Sequence, residues 1–112
     1  MSTPAAILDC DMLDRNTMAD RALQREVFEL LFDQVPVYLG QMAAAVVDQD
    51  RSAWKAAAHG IKGGARNMGW MQLGETAARC EEAAVPTSDL LAAVDSDYAA
   101  ARTAAEAYLA QN

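Results

Sequence analysis

Apolar residues recur along this chain in steps of three and four, the spacing of one face of an α-helix, and nowhere alternate over the length of a strand. A short first segment, about Asp9 to Asn16, carries Met12 and Leu13 and predicts a helical lead-in. Asp20 stands where an N-cap would open a long helix whose stripe is Leu23, Val27, Leu30, Leu31, Val35, Tyr38, Met42 and Val46. Pro36 falls inside that stripe and predicts a bend or a local loss of hydrogen bonding. The turn Asp48-Gln49-Asp50-Arg51-Ser52 offers Asp50 or Ser52 as the next N-cap. The helix after it turns Trp54, Ala57, Ala58, Ile61, Ala65 and Met68 inward and is expected to stop near Gly69. A further stripe runs Trp70, Leu73, Ala77, Cys80 and Ala84, ending at Pro86. Thr87-Ser88-Asp89 caps a last helix carrying Leu91, Val94, Tyr98, Ala101, Ala105 and Tyr108.

Four substantial helices and a short leading one, joined by short connections, predict an all-α fold. The expected architecture is an antiparallel up-down four-helix bundle with a short extra N-terminal helix. A chain of 112 residues has room for one core, so residues 1–112 are expected to form a single domain. The formal net charge of −7 argues against nucleic acid, whose phosphates call for clustered Lys and Arg, and against anionic membrane surfaces. Cys10 and Cys80 could pair, but a helical domain of this size needs no staple, and two reduced, mostly buried thiols are expected. Met1 to Ala6 has neither the basic residue nor the apolar stretch of a signal peptide. No run is expected to reach bilayer-spanning length, and a soluble cytoplasmic protein is anticipated.

Candidate chemistry centres on His59, the only histidine, followed by Lys62 and the pair Gly63-Gly64 inside a helix. Each interior glycine costs a helix roughly 0.5–1 kcal/mol relative to alanine. A chain this rich in alanine could have avoided that cost, so something is expected to approach closely there. At about 100° per residue, the inward stripe spans about 40° either side of its centre and His59 lies about 140° away. Lys55, Lys62, Gly63 and Arg66 share that outer side. A surface histidine on a solvated face is the plain alternative. The glycine pair, the local positive charge in an acidic chain and a carboxylate on the next helix weigh against it.

That carboxylate is Glu81, about 80° from its own inward stripe. Antiparallel packing could bring it to one imidazole nitrogen; equally, it could be a boundary residue reaching water. Held at Nδ1–H, the ring would present Nε2 unprotonated and nucleophilic. Cations around it imply an anionic group, and Lys62 could offset charge on a phosphoryl group. Other chemistries lack their parts. There is no glycine-rich nucleotide loop and no carboxylate trio for Mg²⁺. One His and two distant Cys give no zinc spacing, and Ala56 stands where a di-metal bundle would need Glu. No nucleophile is placed for a serine-type triad.

The stretch Ala58-His59-Gly60-Ile61-Lys62-Gly63-Gly64-Ala65-Arg66-Asn67-Met68-Gly69 resembles the core motif of the histidine-containing phosphotransfer (HPt) domain of multi-step phosphorelays. That motif reads His-x-x-Lys-Gly, then a small residue, then a glycine ten positions after the histidine. Ala77-Ala78-Arg79-Cys80-Glu81 is similar to the family's next-helix stretch, and Ile7-Leu8-Asp9 and the Phe28-to-Met42 helix to its lead-in elements. The resemblance implies His59 as phosphoacceptor, Lys62 as charge-neutralising neighbour, Gly63 as clearance residue and Glu81 as imidazole orienter. Gly64, where the family often has Ser or Ala, is expected to loosen the helix. Glu81, where many members carry Gln, puts an anion nearer the phosphoryl group.

What the resemblance implies is a phosphoryl shuttle, cytoplasmic and of bacterial signalling type, between receiver domains of response regulators and hybrid histidine kinases. No cofactor is expected on this chain, and Mg²⁺ would belong to the receiver. A carrier without turnover of its own and without kinase or ATPase activity follows. Lys55, Gly64, Arg66, Asn67, Met12 and Leu13 are the expected partner-facing positions on a monomer. Two alternatives stand beside it. One is a non-catalytic helical adaptor binding through Met12, Leu13 and the His59 face. The other is a histidine kinase dimerisation module, whose acidic residue after the histidine is replaced by Gly60.

Overall fold

Side-chain caps set where most of the helices begin. In the computed structural model, which describes residues 5–111, the helices are α1 (Cys10–Thr17), α2 (Arg21–Asp48), α3 (Arg51–Asn67), α4 (Met71–Glu82) and α5 (Ser88–Ala110). Asp9, Asp20 and Asp50 each accept the backbone N–H three residues on, at 3.1 Å, and Thr87 does the same for Leu90 at 3.2 Å. Of the two caps open for α3, Asp50 is the one used. Such a cap satisfies one of the four donors that every helix start leaves bare. α4 has no side-chain cap and follows instead from the tight Met68–Trp70 connection.

The packing closes a ring: α2 lies on α3, α3 on α4, α4 on α5 and α5 on α2. α1 rests on α2 and α3. No strand occurs among the described residues, and the protein is an all-helical bundle. Its centre holds Phe28, Phe32, Trp70 and Tyr98 with ring centroids 5.3–6.2 Å apart. The inward residues of α3 are buried as their spacing predicts. So are Leu73, Ala77 and Cys80 on α4 and Val94, Tyr98, Ala101, Ala105 and Tyr108 on α5.

α2 departs most from expectation. Phe28, Gln24 and Ala45 join Leu31, Val35 and Met42 inside, whereas Leu23 and Leu30 face solvent. This helix is apolar nearly all round, so periodicity alone cannot choose its inner face. It is also long and apolar enough, by length and composition, to cross a membrane, which corrects the expectation that no run reaches that length. Its inner positions nonetheless build the core. Gln24 is buried among polar partners, donating to Asp14 at 2.9 Å and to Thr17 at 3.0 Å, while Tyr108 donates to the same Asp14 oxygen at 2.8 Å.

Pro36 does not break α2. Proline has no N–H to give to the carbonyl four residues back, that of Phe32. The Tyr98 hydroxyl reaches this carbonyl from α5 at 3.5 Å. Three smaller corrections follow from where the helices end. Ala84 lies beyond α4 and is exposed. Cys10, at the start of α1, is exposed while Cys80 is buried, and both are free thiols. Leu13 is fully buried, because α1 lays it against the bundle.

Candidate functional site

α3 is seated by small residues. Ala57, Ala58, Ile61 and Ala65 are buried, and two of its glycines serve the contact with α2. A Cβ on Gly60 would stand 2.6 Å from Cζ of Tyr38, and one on Gly64 would stand 2.7 Å from Cδ2 of Leu31. Gly63 is different, since a Cβ there would meet nothing within 4 Å. The glycine pair therefore splits into a packing position and an open one. Gly64 faces α2 and is not partner-facing, and α3 continues past it to Asn67 without loosening.

α4 is locked to α3 by Trp54, whose buried indole N–H donates to the Cys80 carbonyl at 2.7 Å. That bond fixes the last turn of α4 at the residue before Glu81. Glu81 then bridges two side chains of α3. Its Oε2 lies 2.8 Å from Nδ1 of His59, and its Oε1 accepts from Nζ of Lys62. The Lys62 ammonium beside it, and secondarily the bond to His59, hold the Glu81 carboxyl below its ordinary value against the opposing effect of burial. An ionised carboxylate only accepts, so Nδ1 carries the proton and the neutral ring keeps a lone pair on Nε2. The imidazole side chain is 67% exposed, whereas Glu81 is 16% and Lys62 22%. A carboxylate-braced ring that is open at its far nitrogen is a nitrogen nucleophile presented to solvent.

The ring sits in a shallow concavity with Ser52, Lys55, Ala56 and Glu81. Lys55, Gly63, Arg66 and Asn67 are exposed on the same helix. Arg66 lays its stem over Gly74 of α4, where a Cβ would come within 2.9 Å of Cγ. Met12 is half-buried, and Leu13 is removed from the partner-facing set by its burial. Lys62 is not a free surface cation but is half-buried in its pair with Glu81. Among the described residues, no group of three or more His, Cys, Asp or Glu side chains is arranged to hold a metal ion.

Sequence reading did not find the Trp54 bond, the separate duties of Gly60 and Gly64, or Ser52 and Ala56 in the concavity. One signal was available: most buried tryptophans find an acceptor for the indole N–H, although the N–H of Trp70 is buried without one.

Gly69 joins α3 to α4 under two constraints. Its φ of +81° lies in the left-handed region, and a Cβ would stand 2.5 Å from the Asp9 carbonyl oxygen. The incoming chain is latched across this joint by Asp9 N–H to the Gly69 carbonyl at 2.7 Å and Gln72 N–H to the Ala6 carbonyl at 2.8 Å.

Fold and site together define a helical bundle that holds out one braced imidazole. The family model described as Hpt domain matches residues 26–107, from the first turns of α2 almost to the end of α5. The chain belongs to the Hpt domain family. Domains of this family carry out histidine phosphotransfer in phosphorelays and interact with receiver domains. Comparison with curated proteins and with solved structures gave no match.

Proposed function

We propose that this protein relays a phosphoryl group between receiver-domain aspartates through a phosphohistidine at His59. The observation that carries this reading is the 2.8 Å contact between Glu81 Oε2 and Nδ1 of a ring that is otherwise open to solvent. A receiver bearing an aspartyl phosphate docks over α3. The lone pair of Nε2 attacks phosphorus in line, the N–P bond forms, and the P–O bond to the aspartyl carboxyl breaks, releasing a carboxylate. The ring keeps its Nδ1 proton and becomes cationic, and Glu81 balances that charge. In the second half, a carboxylate oxygen of another receiver attacks phosphorus and the N–P bond returns its electrons to Nε2. No proton is gained or lost over the cycle.

Lys62 swings between Glu81 and the phosphoryl oxygens, and Gly63 leaves room for the receiver. Lys55, Arg66, Asn67 and Met12 contact the partner. Mg²⁺ belongs to the receiver, so this chain supplies no cofactor and no turnover of its own. The helices run up and down in turn, residues 1–112 act as one domain and one monomer, and the pathway is cytoplasmic and bacterial. Its receivers are those of response regulators and hybrid histidine kinases.

The test is incubation with phosphorylated receiver domains. The expected result is acid-labile, alkali-stable labelling of the wild-type protein and none of His59→Gln. Full labelling of His59→Gln would end the proposal.

A further inference from the structure

The bundle carries a second face that phosphotransfer does not use. On α2, Pro36, Gly40, Ala43 and Val47 are all exposed and follow one another in steps of four, three and four. That is the spacing of a seam between two helices, yet no helix of the bundle covers it. Alongside it runs a groove of about 390 Å³ between α2 and α5, lined by Leu39, Gly40, Ala43, Leu91 and Ala92, with Asp95. The ring order of the helices puts this groove on the side away from the α3–α4 junction and His59.

Gly40 argues that the groove is meant to be filled. A Cβ there would meet nothing within 4 Å. No neighbour in the fold requires glycine, although it costs a helix interior about 1 kcal/mol. A bare backbone on an outward seam lets another helix approach closely. On the same seam, Val47 is 83% exposed. An α2 that is apolar well beyond what the core needs is explained by a second packing surface.

Charge selects the occupant. Between Arg25 and Arg51, and again between Arg79 and Arg102, the chain holds no Lys, Arg or His. The one charged side chain lining the groove is Asp95, in a chain of net charge −7, and the cation of the same face, Arg102, lies over the Phe32 ring outside that lining. A second copy of this chain would set acid against acid, and an anionic lipid surface would be repelled in the same way. We propose that the α2–α5 face docks an amphipathic helix of another protein whose apolar stripe is flanked by Lys or Arg.

The test is titration of the ¹⁵N-labelled protein with a synthetic 14-residue Leu/Lys amphipathic helix. Two control peptides accompany it, one with Glu in place of Lys and one with Ser in place of Leu. Expected are amide shifts concentrated at Leu39, Gly40, Ala43, Leu91 and Ala92, and binding at least tenfold tighter than to either control. The affinity should weaken with added salt, because Asp95 is exposed. Gly40→Arg should lose at least tenfold in peptide affinity while accepting phosphoryl groups normally, and His59→Gln should bind the peptide unchanged. Shifts clustered around His59, equal binding of either control, or an indifferent Gly40→Arg would overturn the proposal. So would dimerisation or co-sedimentation with phosphatidylcholine vesicles that Gly40→Arg abolishes, since each would name a different occupant.

Discussion

Replacing the three glycines of α3 one at a time separates fold from docking. Gly63 has open space where a side chain would go, so Gly63→Ala should stabilise the protein by the full helix-propensity difference, about 0.8–1 kcal/mol. Unfolding entropy near 60 °C amounts to about 0.23 kcal/mol/K for a chain of 112 residues. The expected rise in Tm is therefore about 4 °C. Gly64→Ala gains the same propensity but pushes on the terminal methyl of Leu31 at 2.7 Å. That methyl can swing aside, so the net effect should be close to zero. Gly60→Ala meets three atoms of the Tyr38 ring at 2.6–3.0 Å, and overpacking of about 1–3 kcal/mol exceeds the gain. The assay is thermal and urea denaturation of all three variants, with Gly63→Leu added for transfer kinetics. Gly63→Leu should also be more stable than wild type yet accept a phosphoryl group far more slowly, because its side chain occupies the docking space. Equal shifts for the three alanine variants, or normal transfer by Gly63→Leu, would show that the clearance argument is wrong.

Leu13→Ala should cost about 2–5 kcal/mol, the range for truncating a fully buried leucine; a loss below about 0.5 kcal/mol in urea unfolding would contradict its placement. Trp54→Phe removes the donor to the Cys80 carbonyl and should cost about 1 kcal/mol. It should also slow transfer, since the turn holding Glu81 loses its tie, and unaltered kinetics would exclude that link. Glu81 is held below its ordinary value of 4.5, chiefly by Lys62. Its stabilising contribution is therefore complete above the ordinary carboxylate range and is lost only as pH falls through the lowered value. Carbon-detected NMR titration should place Glu81 below 4.5 and Lys62→Ala should move it upward, whereas a wild-type midpoint at or above the ordinary value would refute the bridge. Burial pushes the Cys80 thiol up to about 11, so alkylation at pH 8 should reach it only on unfolding; because Cys10 is exposed, the test uses Cys10→Ser, and rapid labelling of that folded variant would contradict this.

α3 was legible in the sequence because its apolar residues fall in one narrow arc and leave a single choice of inner face. α2 was not. With Leu23 and Leu30 outside and Phe28 and Gln24 inside, its pattern supports more than one face, and the neighbours decide. His59 could be placed on the outer side from spacing alone, but whether Glu81 reached it depended on the separation of two helices. Periodicity within one helix carries no such distance. The three glycines look alike in the sequence and differ only by what stands across from them: Tyr38, Leu31 or nothing. Lys62 was placed on the outer side by the same spacing, and its pairing with Glu81, which acts between elements, was not legible there.

His59, Lys62 and Glu81 all belong to α3 and α4, neighbours in the chain pinned to each other by the Trp54 bond and turned at Gly69. The separation between imidazole and carboxylate is thus set inside one hairpin, and neither α2 nor α5 gives a side chain to the bridge. A partner could prise at the far half of the molecule without detuning the nitrogen that carries the load.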